Sequence, residues 1–183
     1  MQHAIPLSQQ LEYYKEYQSK LSKVAGKSQA SSILSGALYI VSAGSSDFVQ
    51  NYYINPYLNK FMSPDQFSSI LIDNFSGLVK SLYGLGARRI GVTTLPPMGC
   101  LPASISLFGL GSNNCVSRLN ADAQGFNKKL NAVTNSLMKK YPKLKIAVFD
   151  IYTPLYDLAT APSKQGKVIR YTMCCIFFLK PAY

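Results

Sequence analysis

The feature that most constrains the fold is an alternation of short apolar runs with longer segments in which apolar residues recur at helical spacing. The short runs lie at residues 37–43, 89–95 and 145–150. The first is too short for a helix, and its β-branched and aromatic content is typical of a strand buried on both faces of a parallel sheet. The order strand, helix, strand, helix, strand predicts right-handed crossovers in one α/β domain with a parallel sheet.

The predicted helices carry their own start and stop signals. Residues 63–65, Ser-Pro-Asp, combine an N-cap hydroxyl, a proline at the first helical position and an acid in the first turn. The glycines of residues 84–86 end that helix. Further helices are predicted over residues 8–26, 116–140 and 153–159, and a long loop over residues 96–116.

The composition excludes several classes of protein. Apolar residues make up 48% of the 183 residues and charged residues 15%, which provides material for a core and argues against disorder. No uncharged apolar run is long enough to span a bilayer, so no membrane insertion is expected. The single histidine, His3, is interpreted as a surface or packing residue. With no other histidine, a His-based zinc site and an internal Ser-His-Asp triad are excluded, and we expect no metal and no cofactor.

Positive charge is concentrated in the carboxyl-terminal third. The chain has a formal net charge of +11, and residues 118–183 hold 11 basic and 3 acidic residues. The lysine pairs at residues 128–129 and 139–140 could meet nucleic acid or an anionic surface. Because no nucleic-acid-binding motif accompanies them, we favour a solvated helix face and expect no nucleic-acid partner.

Two interpretations of Cys100 and Cys115, which flank a loop rich in glycine and serine, stay open. A disulfide between them would stabilise the fold by roughly 3 kcal/mol in the chain-entropy model. Two free thiols are the alternative, because a chain without a secretion signal stays in a reducing compartment.

Several separated blocks of the sequence resemble one family. The blocks read HAIPLSQQLEYYKEYQ at residues 3–18, ALYIVSAGSSDFVQNYYINP at 37–56, LPPMGCLP at 95–102 and KIAVFDIYTPLYDL at 145–158. In this order they resemble the plant GDSL esterase/lipase family of the SGNH hydrolases, over residues 2–166. The resemblance implies a flavodoxin-like fold of three layers. It also implies a serine esterase that attacks carboxylic esters, lipid-like ones included, through an acyl-enzyme intermediate.

Such chemistry needs a nucleophilic serine, a histidine base, a carboxylate that orients the histidine, and donors to the oxyanion. In the family the serine lies in a Gly-Asp-Ser-Leu motif and the histidine in an Asp-x-x-His motif. Neither motif occurs in these 183 residues. We therefore assign no catalytic residue to this chain and expect an incomplete member of a hydrolase family.

The family's Gly-x-Asn-Asp block corresponds to Gly44, Ser45, Ser46 and Asp47. The resemblance makes Ser46, which replaces the family's asparagine, the candidate oxyanion-hole donor. Gly44, Ser45 and Asp47 are expected to line the site, with Gly44 allowing a tight turn and Asp47 capping the next helix. An ordinary strand-to-helix turn is the alternative. Residues 95–102 are interpreted as scaffold beside the site.

The two ends of the chain carry expectations of their own. After Gly166 the sequence departs from the family and reads KVIRYTMCCIFFLKPAY. We therefore expect a partial hydrolase domain over residues 1–166 and a divergent apolar tail over residues 167–183, as truncation or alternative splicing would produce. The family is secreted, whereas MQHAIPLSQQ has neither a basic n-region nor an apolar h-region. No signal peptide is therefore expected, and a cytoplasmic location is the alternative.

The expected partner is an ester or lipid small molecule. The family's strand that leads into the serine is implied to lie beside residues 37–43, and without it those residues form an exposed strand edge. Such an edge pairs readily with another chain, so self-association is expected. A non-catalytic binding or interaction protein is the alternative to a hydrolase.

Overall fold

A computed structural model describes residues 5–55 and 57–162. His3 and the predicted tail over residues 167–183 lie outside the described residues. The helices are α1 (Leu7–Ala25), α2 (Lys27–Gly36), α3 (Leu58–Phe61), α4 (Pro64–Gly84), α5 (Pro102–Phe108), α6 (Ser117–Lys140) and α7 (Tyr152–Thr160). The strands are β1 (Leu38–Val41), β2 (Arg89–Thr93) and β3 (Lys145–Phe149). A π-helical segment covers Asp47–Tyr53, and a 3₁₀ turn covers Met98–Cys100.

The predicted parallel sheet is confirmed. The strands lie in the order β1-β2-β3, so β2 is central and β1 is an edge of the described sheet. Leu38 pairs with Arg89, and Arg89 pairs with Lys145. Since β1 to β2 and β2 to β3 are each joined through helices, the sheet is built from crossovers. The result is an incomplete α/β fold of the SGNH type.

Helices cover one face of this sheet. Strand side chains on that face are buried against α4 and α6, with Ile90 and Val92 1% and 3% exposed. The apolar stripes of α4 and α6 pack into the same core. The residues that these two helices contribute include Phe75, Val79, Leu82, Phe126, Leu130 and Leu137. Helix α1 contacts α4 and adds the partly buried Leu11 and Tyr14 to the edge of the core.

No helix of the described residues covers the opposite face of the sheet, and here the burial expected for residues 37–43 is wrong. Leu38 and Ile40 are 59% and 58% exposed, and Phe149 at the end of β3 is 44% exposed. The strand is apolar on both sides, but among the described residues only one side meets helices. We call the surface formed by Leu38, Ile40, Ala147 and Phe149 the bare face. The described part of the chain therefore has two layers of the expected three.

Most helix ends follow the predicted signals. Ser63 Oγ accepts from the Gln66 N–H at 3.2 Å, and Gln66 Oε1 accepts from the Ser63 N–H at 2.9 Å, which together form a capping box. Gly26, with φ of 79°, ends α1. The predicted loop over residues 96–116 is wrong in part, because α5 and the 3₁₀ turn lie within it. Helix α2, helix α3 and the π-helical segment have no counterpart in the prediction. Within the described residues no helix is long and apolar enough to cross a bilayer.

Candidate functional site

The carboxyl ends of β1 and β2 open onto a cleft of about 450 Å³. In parallel α/β sheets this edge is where ligands bind. The first turns of α1 close one side, and α4 and α6 close the other. The lining is mostly apolar and includes Leu7, Leu11, Val41, Ala43, Gly44, Asp47, Leu71, Asn74, Phe75, Leu78, Val92, Thr93, Phe126 and Leu130. The cleft therefore suits an apolar ligand with one polar end.

Gly44 makes the turn that leaves β1. Its φ of 110° lies in the region that favours glycine, and a Cβ there would stand 3.1 Å from Leu95 Cδ2. The Gly44 carbonyl oxygen accepts from the Phe48 N–H at 3.0 Å, which starts the helical segment at once. Larger side chains at residue 44 would both strain this turn and crowd Leu95.

The predicted site residues divide between cleft and solvent. Gly44 and Asp47 line the cleft, whereas Ser45 and Ser46 are not among its lining residues. Ser46 is exposed in helical conformation, with φ of −66° and ψ of −35°. The Asp47 carboxylate accepts from Asn51 Nδ2 at 3.5 Å, while the Phe48 N–H goes to Gly44, so the expected cap by Asp47 is wrong.

The loop after β2 is held by two asparagines of α6 that sequence reasoning missed. Asn127 accepts from the Leu95 N–H at 2.7 Å and donates to the Leu95 carbonyl oxygen at 3.1 Å, all in a buried environment. Asn120 accepts from the Gly99 N–H at 2.8 Å. Satisfying buried backbone groups in this way keeps an irregular loop in one conformation. The geometry agrees with the interpretation of residues 95–102 as scaffold.

Cys100 and Cys115 are joined by a disulfide, with 4.3 Å between their Cα atoms. It ties the 3₁₀ turn to the chain just before α6. The Val116 N–H donates to the Gly99 carbonyl oxygen at 2.8 Å beside it, and a Cβ on Gly99 would collide with the Val116 carbonyl oxygen. This close backbone approach explains the glycine at residue 99.

Tyr53 anchors the end of the π-helical segment to α6. Its hydroxyl donates to Asp122 Oδ2 at 2.5 Å, and the Arg118 guanidinium lies 5.7 Å from the centre of its ring. Burial, the largest cause, raises the pKa of Asp122 above its ordinary value, while the hydrogen bond from Tyr53 and the charge of Arg118 lower it. Burial and the same hydrogen bond raise the pKa of the Tyr53 hydroxyl. π-helical segments occur frequently at functional sites, and this one leads directly from the Gly44 turn.

Asp150 closes the carboxyl end of β3. Its Oδ1 accepts from the N–H groups of Tyr152 and Thr153 at 2.9 and 3.2 Å. Hydrogen bonds from Thr153, its side chain first and its backbone second, hold the pKa of Asp150 below its ordinary value. Asp150 thus stabilises the start of α7 as an ionised cap.

The site as described offers binding without a complete catalytic apparatus. The described residues contain no histidine, so none of their serines is paired with an imidazole base. In the same residues no group of three or more His, Cys, Asp or Glu is placed to hold a metal ion. What the geometry provides is an apolar cleft, a tight turn beside it and the exposed Ser46 on that turn.

Comparison with known proteins gives a consistent result. The family model described as GDSL-like Lipase/Acylhydrolase matches residues 3–175. The Arabidopsis thaliana protein "GDSL esterase/lipase APG" is 60% identical over 175 residues, which are 96% of this chain and 50% of that protein. "GDSL esterase/lipase At5g03810" from Arabidopsis thaliana is 55% identical over 174 residues, 94% of this chain and 49% of that protein. The chain thus spans about half the length of the curated relatives it matches.

Proposed function

Because this chain belongs to the GDSL-like lipase/acylhydrolase family, we propose that it forms the acyl-binding and oxyanion part of a serine ester hydrolase. The observation that carries the proposal is the Gly44 turn at the mouth of the 450 Å³ apolar cleft. An acyl chain would lie in the cleft against Leu71, Phe75 and Leu78. Burying such a chain contributes about 0.8 kcal/mol for each methylene removed from water.

Ser46 is proposed as the donor that stabilises the oxyanion. The hydroxyl is exposed on the turn, and no hydrogen bond to another described residue occupies it. During attack on the ester, the carbonyl oxygen gains negative charge and would accept a hydrogen bond from Ser46 Oγ. The attacking serine and its histidine would come from chain segments that these 183 residues do not contain.

The isolated chain is expected not to hydrolyse esters. In a well-characterised serine hydrolase, loss of the nucleophile or of the base lowers the rate by about a millionfold, and the two losses are not additive. We expect p-nitrophenyl acetate hydrolysis at the background rate and no labelling by a serine-directed fluorophosphonate, with the heat-unfolded chain as the blank. A burst of product with one acyl group bound per chain would refute catalytic incompleteness.

The role of Ser46 can be tested in a chimera. The segment of "GDSL esterase/lipase APG" that aligns with this chain is replaced by the aligned residues of this chain, and p-nitrophenyl butyrate hydrolysis is measured. Loss of one oxyanion donor lowers kcat by about 10²–10³, so Ser46→Ala is expected to reduce kcat within that range. Ser46→Asn, which restores an amide donor, should retain activity.

Ser45→Ala is the matched control, since it removes a neighbouring hydroxyl from the same turn and should leave kcat within about twofold. Equal kcat for the chimera and its Ser46→Ala variant would remove Ser46 from the oxyanion site. A folded chimera that stays inactive even with Ser46→Asn would refute the hydrolase assignment for this segment.

An oxidising compartment is the location we propose for the protein. The support is the Cys100–Cys115 disulfide, because such bonds persist in secreted proteins and are rare where thiols are kept reduced. Iodoacetamide should leave Cys100 and Cys115 of the purified protein unmodified unless reductant is added first. Alkylation of both without reductant would contradict this location.

A non-catalytic interaction protein remains the second candidate function. The observation that favours it is the bare face with its exposed Leu38 and Ile40 at the edge strand. Exposed apolar surface of this kind marks a contact area for another protein surface.

A further inference from the structure

Charge is distributed unevenly along the direction of the strands. Asp73, Asp122 and Asp150 are the only acidic residues between residues 73 and 150. Six cations lie at the amino-terminal ends of β2 and β3. These six, which we call the basic end, are Arg88, Arg89, Lys139, Lys140, Lys143 and Lys145. The cleft lies at the opposite, carboxyl-terminal ends of the strands.

The fold brings the basic end together from three elements. Helix α6 ends at Lys140, and the short connection to β3 carries Lys143. Lys145 then lies directly opposite Arg89 in the sheet, and its N–H donates to the Arg88 carbonyl oxygen at 2.9 Å. Residues that are up to 57 positions apart in the chain therefore share one surface.

Tyrosines hold part of this surface in place. The Arg88 guanidinium lies 4.2 Å from the centre of the Tyr83 ring and donates to the Tyr83 carbonyl oxygen at 2.8 Å. The Tyr83 and Tyr141 rings are 4.9 Å apart, and Lys140 Nζ lies 5.9 Å from the Tyr141 ring. Ordered cations of this kind lose less conformational entropy when they bind an anion.

The basic end has no internal counterions in the described residues. The three ion pairs found there join Lys15 to Glu12, Lys20 to Glu16 and Lys129 to Asp65. None involves any of the six cations. Unneutralised cations on one surface create a positive potential that attracts an anionic partner.

Exposed apolar side chains accompany these cations. Leu38, next to Arg89 in the register, is 59% exposed, Val24 at the end of α1 is 88% exposed, and Ile33 in α2 is 41% exposed. Helices α1 and α2 both reach the amino-terminal ends of the strands. Gln18 Nε2 in α1 donates to the Leu85 carbonyl oxygen at 2.7 Å, and Arg89 Nη1 donates to the carbonyl oxygen of Gly36 in α2 at 3.0 Å. A surface that mixes cations with apolar side chains fits the headgroup region of a bilayer better than the phosphates of a nucleic acid.

We propose that the basic end is a peripheral binding surface for membranes rich in anionic phospholipid. The cations contact lipid phosphates, while Val24, Ile33 and Leu38 reach the boundary of the acyl region. The cleft opens at the carboxyl-terminal ends of the strands, so membrane binding through the basic end leaves the cleft accessible.

The test measures co-sedimentation of the 183-residue protein with phosphatidylcholine vesicles, with and without about 30% phosphatidylglycerol, in low salt. Binding is expected only to the anionic vesicles and should be largely lost when salt rises from about 50 mM to about 500 mM. The variant Lys140→Gln, Lys143→Gln, Lys145→Gln should weaken binding about a hundredfold. The control Lys15→Gln, Lys60→Gln, Lys128→Gln removes the same charge elsewhere and should weaken it about threefold or less.

Circular dichroism checks that both triple variants fold. Equal weakening by the two variants would show that only net charge matters and would overturn the proposal. Equal binding to neutral and anionic vesicles would overturn it as well. Displacement of the protein from anionic vesicles by a DNA duplex at matched phosphate concentration would assign the surface to nucleic acid instead. The salt titration of the unchanged protein keeps the proposal refutable even if a variant fails to fold.

Discussion

The two faces of the sheet differ in the solvent exposure of their side chains. Ile90 in β2 is 1% exposed, whereas Ile40 in the neighbouring β1 is 58% exposed, although both belong to the same hydrogen-bonded ladder. One face packs against α4 and α6, and no helix covers the other among the described residues. The strands therefore pair by hydrogen bonds whether or not helices pack on the sheet. The burial of their side chains, in contrast, depends on the helices that pack against each face.

The residues of the bare face have the apolar composition of a strand that helices cover. Strands of parallel sheets read as continuous apolar runs because helices normally cover both faces. Leu38 and Ile40 follow that pattern while lying exposed. The described residues supply no helix that covers them.

The largest expected effect comes from truncating one isoleucine on each face. Ile90→Ala leaves a cavity in a packed core and should lower the free energy of unfolding by about 2–5 kcal/mol. Ile40→Ala, the matched change on the bare face, should cost about 1 kcal/mol or less, because water already reaches that side chain. Urea denaturation with unchanged m-values measures both. Equal losses would mean that the bare face is covered in solution.

The next effect concerns a partly buried polar pair, Tyr53 and Asp122. Tyr53→Phe removes the donor to Asp122 and should destabilise the protein by about 1–3 kcal/mol near neutral pH. The hydrogen bond lowers the pKa of Asp122, so its loss raises that pKa further above the unfolded value. An acid with a raised folded pKa loses stability as pH rises from its unfolded pKa through its folded pKa.

Denaturation at several pH values checks this sign. The cost of Tyr53→Phe should be smaller below the unfolded pKa of the carboxyl, near pH 4, where Asp122 is protonated in both states. Asp122→Asn is the companion variant, and in its background the cost of Tyr53→Phe should no longer vary with pH. A cost that grows as pH falls would contradict the assignment of Asp122 as the ionised acceptor.

The smallest expected effect is on association through the exposed edge strand β1. Leu38→Lys with Ile40→Lys places two charges on the edge strand and should weaken self-association at micromolar concentration about tenfold, or about 1.4 kcal/mol. Phe61→Lys is the control, since Phe61 is 84% exposed but lies in α3, away from the sheet. Sedimentation velocity gives the association constants. A clean monomer of the unchanged protein at this concentration would argue against association through this edge.

Secondary structure followed the sequence wherever the local signal was complete. The capping box at Ser63 and the apolar stripe of α4 fixed that helix, and the Tyr-Pro step at residues 141–142 ended α6. Helix α2 gave no such signal, because Ala30 is its only buried residue and it has no apolar stripe. Helix α5 could have been found from Pro102 at its first position.

The candidate site was predictable only in part. The turn after β1 followed from the position of Gly44 behind a strand, but the exposure of Ser46 did not. Asn120 and Asn127 carried a usable signal, since polar residues seven apart on the buried stripe of α6 need internal partners. Their partners at Leu95 and Gly99 lie in a loop without regular structure, so the sequence could not identify them.

The sequence by itself determined the parallel α/β architecture, the ends of α1, α4 and α6, and the family, because these depend on local periodicity, caps and motifs. Only the tertiary structure decided which face of the strands is buried, where Asp47 directs its carboxylate and how six cations meet at one edge. Each of those depends on residues far apart in the chain. Local propensity holds no information about such contacts, whereas packing and long-range hydrogen bonds select among the arrangements that the local signals allow.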